Sequence, residues 1–88
     1  MFSQYDPNKD ASNLKKHGIS FRAAESAFFD PLAILYEDLN VEGEVRFILI
    51  GRGANYNLLV VVFTSRGDDT RIISARRATR SEIKDYEG

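Results

Sequence analysis

The chain has no cysteine and no tryptophan, a single methionine, a single histidine and only two prolines. Without cysteine there is neither a disulfide framework nor a thiolate metal site, a composition suited to a reducing, cytoplasmic compartment. His17 is the one histidine, which excludes an acid–base pair of two imidazoles. Long hydrophobic runs are also missing. The longest, Leu58 to Phe63, falls far short of the roughly 20 residues that span a bilayer, so no membrane association is expected. The N-terminus lacks the basic-then-apolar pattern of a secretory leader. No linker, low-complexity tract or repeat interrupts the sequence, so residues 1–88 are expected to form one small domain. Nor is there a glycine-rich phosphate loop, a serine nucleophile motif or a metal-ligand spacing, and no metal or cofactor is expected.

What is present is an uneven distribution of charge. Twelve Lys and Arg face thirteen Asp and Glu, for a formal net charge of −1. Residues 1–45 carry −4, residues 46–80 carry +5 and residues 81–88 carry −2. Binding depends on where charge sits, so a near-neutral total does not exclude a polyanionic ligand. Hydrophobic residues make up 43% of the chain, enough to place it among globular proteins rather than disordered ones.

Local signals give an element order. Asp6-Pro7 reads as an N-cap followed by proline at the first helical position, and Gly18 as the left-handed residue past the end of a helix closing at His17. Its only clear apolar members are Ala11 and Leu14, so packing rather than propensity must hold it. Ser20 caps a second helix to about Phe29, with Phe21, Ala24 and Phe28 on one face and Ala27 beside them, and Asp30-Pro31 stops it. Short β-branched runs follow at Leu32–Glu37, Val45–Ile50, Leu58–Thr64 and Thr70–Ala75. The turns between them, Asp38–Glu44, Gly51–Asn57 and Ser65–Asp69, are too short for helical crossovers. An antiparallel meander is expected, with Leu58–Phe63 as a central strand covered on both faces. Thr79-x-x-Glu82 is a capping-box pattern that opens a last helix, in which Ile83 and Tyr86 share a face. The fold class is therefore α+β: order ααββββα, a four-stranded antiparallel sheet with helices packed on it.

Seven arginines lie on or beside this sheet: Arg46, Arg52, Arg66, Arg71, Arg76, Arg77 and Arg80. Guanidinium is planar, always charged and matches phosphate oxygens two at a time. The local acids, Asp68 and Asp69, are too few to neutralise the set. Such a cluster points to a nucleic-acid backbone, or else to a solvated surface paired with the acids of the chain's two ends. Strand alternation puts Arg71 on the face of Ile73 and Ala75, and Arg76 with Ile72 and Ser74. His17 reads as a cation at a helix C-terminus or as a proton-transfer or RNA-contacting group. Tyr86 reads as a packing residue or as a group that stacks on a base or handles a proton.

Two blocks of residues resemble the BrnT family. One is Tyr5-Asp6-Pro7-x-Lys9…Asn13-x-x-Lys16-His17-Gly18-Ile19-x-Phe21. The other runs from Arg46…Ile50-Gly51 to Arg71-Ile72-Ile73-Ser74-Ala75-Arg76-Arg77-Ala78-Thr79-x-x-Glu82…Tyr86. The resemblance covers nearly the whole chain; Tyr5 stands where the family usually has tryptophan. It implies a compact RelE-like ribonuclease fold and the toxin half of a bacterial type II toxin–antitoxin pair. Such a toxin cleaves RNA, blocks translation and arrests growth, and is neutralised by a cognate BrnA-like antitoxin that contacts operator DNA on the toxin's behalf. For metal-free cleavage, in which the 2′-hydroxyl attacks phosphorus, the expected charge-stabilising residues are Arg76, Arg77 and Arg46. His17 or Tyr86 would move a proton, and Arg52, Arg66 and Arg71 would hold the RNA backbone. The alternative is a non-catalytic RNA-binding module that uses the same arginine-rich face.

Overall fold

The computed structural model describes residues 2–38, 43 and 45–88, together with all their side chains except those of residues 2–4 and 66. The elements are β1 (Phe2–Gln4), α1 (Pro7–His17), α2 (Phe21–Glu25) continuing as a 3₁₀ turn (Ser26–Phe29), β2 (Ile34–Asp38), β3 (Arg46–Arg52), β4 (Leu58–Arg66), β5 (Asp69–Arg77) and α3 (Arg80–Glu87). The expected order is present: two helices, an antiparallel four-strand meander and a final helix. A short parallel strand is added at the N-terminus, making the sheet order β1-β5-β4-β3-β2. Most of the expected turn Asp38–Glu44 lies outside the described residues.

Each helix starts where a side chain can satisfy its first amides. The Asp6 carboxylate accepts from the Asn8 N–H at 2.8 Å, and Ser20 Oγ accepts from the Ala23 N–H at 3.0 Å. Thr79 and Glu82 form a full capping box. Helix α1 ends as expected on Gly18, whose φ of 74° lies in the left-handed region and whose N–H donates to the Leu14 carbonyl. A different glycine is required by space alone: a Cβ on Gly51 would fall 2.8 Å from the Ala27 carbonyl oxygen, so β3 passes the 3₁₀ turn only without a side chain there.

β4 is central and is covered on both faces. On one face, Leu59, Val61 and Phe63 join Phe21, Ala24, Ala27, Leu49, Ile72 and Ala75 beneath α2 and the 3₁₀ turn. On the other, Leu58, Val60 and Ile50 meet Ile83, Tyr86 and Ala78 of the α3 segment. Aromatic contacts lock the first core edge to face: Tyr5 on Phe21 at 5.5 Å and Phe28 on Phe63 at 4.9 Å.

The anchor of α1 is polar rather than apolar. Ala11 is exposed and Leu14 is half exposed, whereas Asn13 is buried. Its side-chain amide donates to the carbonyls of Ile19 and Ala75, both at 2.8 Å, and its oxygen accepts from the Ala75 N–H at 3.1 Å. The amide thus pairs with both main-chain groups of one β5 residue, as a neighbouring strand would. The Asp10 carboxylate accepts from the Phe21 N–H at 2.8 Å, tying α1 to the start of α2.

Replacing Asn13 with Leu keeps the volume and strands the Ala75 N–H and C=O. The substitution should destabilise the fold by about 2–4 kcal/mol, the cost of leaving buried backbone groups unpaired. Urea denaturation should show a lower midpoint at unchanged m; an unchanged midpoint would show that water replaces the amide at no cost.

Candidate nucleic-acid interface

Register decides which arginines face the same way. Asp38, Arg46, Thr64 and Arg71 stand opposite one another across β2, β3, β4 and β5. Two rows further along β3 and β4, Ile50, Val60 and Arg76 form a second line, and beyond it Arg52 stands opposite Leu58. Residues directly opposite in adjacent strands share a sheet face. Because Leu58, Val60 and Ile50 lie beneath α3, this is the α3 face. Arg46, Arg52, Arg71 and Arg76 therefore share it.

Simple alternation along β5 would have put Arg71 and Arg76 on opposite faces. A bulge corrects that expectation. Val62 pairs with Ser74 but Phe63 pairs with Ile72, so Ile73 is the extra residue and the alternation resets there. Ile72 and Ala75 consequently both enter the first core, while the two arginines come to one side. Arg77, opposite Leu59, belongs to the other face and is exposed; Arg80 is exposed at the first position of α3. The side chain of Arg66 lies outside the described residues.

The four arginines on the shared face have different surroundings. Arg76 lies against Glu82 in a two-pronged pair, Nη1 to Oε1 at 2.7 Å and Nη2 to Oε2 at 2.8 Å. The Glu82 Oε1 also accepts from the Thr79 N–H at 2.8 Å, so one carboxylate caps α3 and holds Arg76. The Arg76 fork and the capping amide together outweigh desolvation and hold the Glu82 carboxyl down to about 2. Arg52 lies 5.5 Å over the Tyr86 ring and donates to the Tyr56 carbonyl at 2.7 Å. Arg46 is partly buried, and its Nε is fully buried without a hydrogen-bond partner among the described residues. An unpaired buried donor is costly, and this one is closed off from solvent.

The two residues considered for proton transfer occupy different places. The Tyr86 hydroxyl donates to Asp30 Oδ2 at 2.6 Å, an oxygen that also accepts from the Arg52 N–H at 2.7 Å. The Asp30 hydrogen bond, with some desolvation, raises the Tyr86 pKa. Burial alone would raise Asp30, but the Tyr86 hydroxyl and the Arg52 and Leu32 amides hold it below its ordinary value. His17 lies at the end of α1, beside a hollow at β5 that Lys16, Ile73 and Ser74 also line. β4 separates the β5 side from β3, over whose end Tyr86 lies.

Sequence reading missed two residues of this region. Asp30 read only as a helix stop, and no spacing rule connects it to Tyr86, 56 positions away. Glu82 read only as a cap, although its place six residues after an arginine at a strand end was a usable signal for pairing.

The sequence model of a family described as "Ribonuclease toxin, BrnT, of type II toxin-antitoxin system" matches residues 5–82. The 1.1 Å crystal structure of the Brucella abortus ribonuclease toxin BrnT is similar in fold. It has a TM-score of 0.70 and 24% sequence identity, and the match covers 91% of this chain and 99% of that one. No curated protein matches the chain. Among the described residues no group of His, Cys, Asp and Glu is placed to hold a metal ion, and no helix is long and apolar enough to cross a membrane.

The depressed Glu82 carboxyl gives a pH signature. Its folded pKa of about 2 lies below the ordinary 4.5, so the pair's contribution is full above pH 4.5 and is lost as pH falls toward 2. Arg76 is 41% exposed, which limits the pair by solvent screening. Glu82→Gln should therefore cost only about 1 kcal/mol at pH 7. In paired denaturation curves the gap between wild type and variant should close between pH 4.5 and 2; a gap independent of pH would refute the pairing.

Proposed function

We propose that this chain, which belongs to the BrnT family of ribonuclease toxins of type II toxin–antitoxin systems, is a metal-independent endoribonuclease that inhibits translation and growth. A toxin of such a system has an antitoxin protein as its partner. We take that partner to be a BrnA-like protein that reaches operator DNA itself, and the cytoplasm to be the site of action. Family membership supports RNA as the substrate. The observation that carries the placement of the chemistry is the gathering of Arg46, Arg71 and Arg76 on one sheet face.

In this reading the ribose 2′-hydroxyl attacks the adjacent phosphorus, and the phosphoryl oxygens gain charge as the 5′-oxygen leaves. Guanidinium groups fixed before the reaction stabilise that charge without reorganising. Arg46 is the strongest candidate because it stands in one row with Thr64 and Arg71, and its Nε makes no hydrogen bond among the described residues. Arg76 is oriented by Glu82, with part of its fork engaged, and serves as the second. Arg77, on the opposite face, acts at the strand end if it reaches the substrate around the edge. Arg71 and Arg52 hold flanking phosphates, and backbone binding is also the role proposed for Arg66. Tyr86, whose hydroxyl is tied to Asp30 and whose pKa is raised, suits donation of a proton to the leaving oxygen better than abstraction of one. His17 belongs to the β5 edge, where it contacts RNA rather than the reacting phosphate.

Induced alone in bacteria, the protein should arrest growth. Arg46→Ala should release the arrest by slowing cleavage on the order of 10²–10³, and the Arg76→Ala/Arg77→Ala double variant should do the same. Normal growth on confirmed expression of soluble wild type would sink the proposal.

A further inference from the structure

The Asn13 clamp turns one face of α1 toward the outer edge of β5. Lys9 and Lys16 stand four residues before and three residues after Asn13, so they lie on that same face. Two hollows flank the Ile73 bulge and share Lys9 and Ile73 in their linings. One, of about 290 Å³, reaches from Lys9 to Tyr5 and Arg71. The other, of about 390 Å³, reaches from Lys9 past Ser12 to Lys16 and His17. They adjoin at Lys9 and Ile73, so Arg71, Lys9, Lys16 and His17 line one stretch of surface beside β5.

These cations are not committed to internal partners. Among the described residues, none of Lys9, Lys16, His17 and Arg71 has a side-chain hydrogen bond or ion pair. The nearby carboxylates are already used, Asp6 on the Asn8 N–H and Asp10 on the Phe21 N–H. Among the described residues Asp6 is the one acid lining this surface. The remaining lining mixes polar and apolar groups, with Asn8, Ser12 and Ser74 along one stretch, Ile72 and Ile73 against β5, and the half-buried Tyr5 at the far end. A nucleic-acid strand needs spaced cations, hydroxyl partners and an aromatic ring, and the groove offers these.

We propose that the α1–β5 groove is a single-stranded RNA track. In it Lys9 and Lys16 bind backbone phosphates about three nucleotides apart, and Arg71 passes the strand onto the arginine face beside Arg46. Lys9 and Lys16 are seven residues, about 10.5 Å, apart along the helix, room for about three nucleotides at the roughly 3.4 Å spacing of a stacked strand. Arg71 is common to both surfaces: it lines the first hollow and stands in line with Thr64 and Arg46. The proposal rests on the reading of RNA as substrate and adds where the flanking strand lies.

The test uses a fully 2′-O-methylated single-stranded oligonucleotide, which binds but offers no attacking hydroxyl, titrated at several salt concentrations against wild type and Lys9→Ala/Lys16→Ala. Loss of two phosphate contacts on a single strand should lower the slope of log K against log salt by about 1.4, which weakens binding by roughly 25-fold at 0.1 M salt. Lys9→Arg/Lys16→Arg should restore most of the slope. An unchanged slope in the alanine variant would overturn the track, and so would loss of antitoxin binding with RNA binding intact, which assigns the groove to a protein. Wild type that cleaves RNA yet ignores the probe overturns the track alone. Wild type that neither binds nor cleaves overturns the substrate as well.

Discussion

One buried side chain fixes the relation between the helices and the sheet. β1 is only three residues long and leaves the outer edge of β5 without a full partner strand. Asn13 supplies the missing pairing at Ala75, and the same amide reaches the Ile19 carbonyl in the link between α1 and α2. A primary amide can meet an N–H and a C=O of one residue at once, which no apolar side chain does. The rest follows from that contact. With α1 held at the edge, Phe21, Ala24 and Ala27 reach the core over β4, and Lys9 and Lys16 of α1 line the hollow at β5.

The second determinant is the bulge at Ile73. It adds one residue to β5 and so changes which face each later side chain takes. Before the bulge, Arg71 continues the Asp38–Arg46–Thr64 row; after it, Arg76 returns to the same face at the end nearer α3. An unbroken strand would have split these two arginines between faces. α3 covers the same face only in part, over Ile50, Leu58 and Val60, and its capping residue Glu82 orients Arg76. Capping, packing and the presentation of charge thus meet in one short segment.

Much of this was legible in the residues. Asp6-Pro7, Gly18, Ser20 and Thr79-x-x-Glu82 act through local geometry, so their helix ends could be read directly. The unbroken apolar run of β4 announced a strand buried on both faces. Features that depend on distant pairing could not be read. Nothing near Asn13 marks it as the partner of a residue 62 positions later, and nothing near Asp30 points to Tyr86. The bulge depends on how Ile72 and Ile73 compete for the core, which two adjacent isoleucines do not reveal. The resemblance to the BrnT family supplied what the chemistry of isolated residues lacked, a substrate class for a cluster of guanidinium groups.

The claim that joins fold to function is that guanidinium groups on the α3 face, Arg46 foremost, cleave RNA without a metal. Purified protein incubated with RNA in excess chelator, followed by mapping of the fragment ends, tests it most directly. The account predicts fragments ending in 2′,3′-cyclic phosphate and 5′-hydroxyl from wild type, and intact RNA from Arg46→Ala. Intact RNA from folded wild type, or equal cleavage by the Arg46→Ala variant, would contradict it.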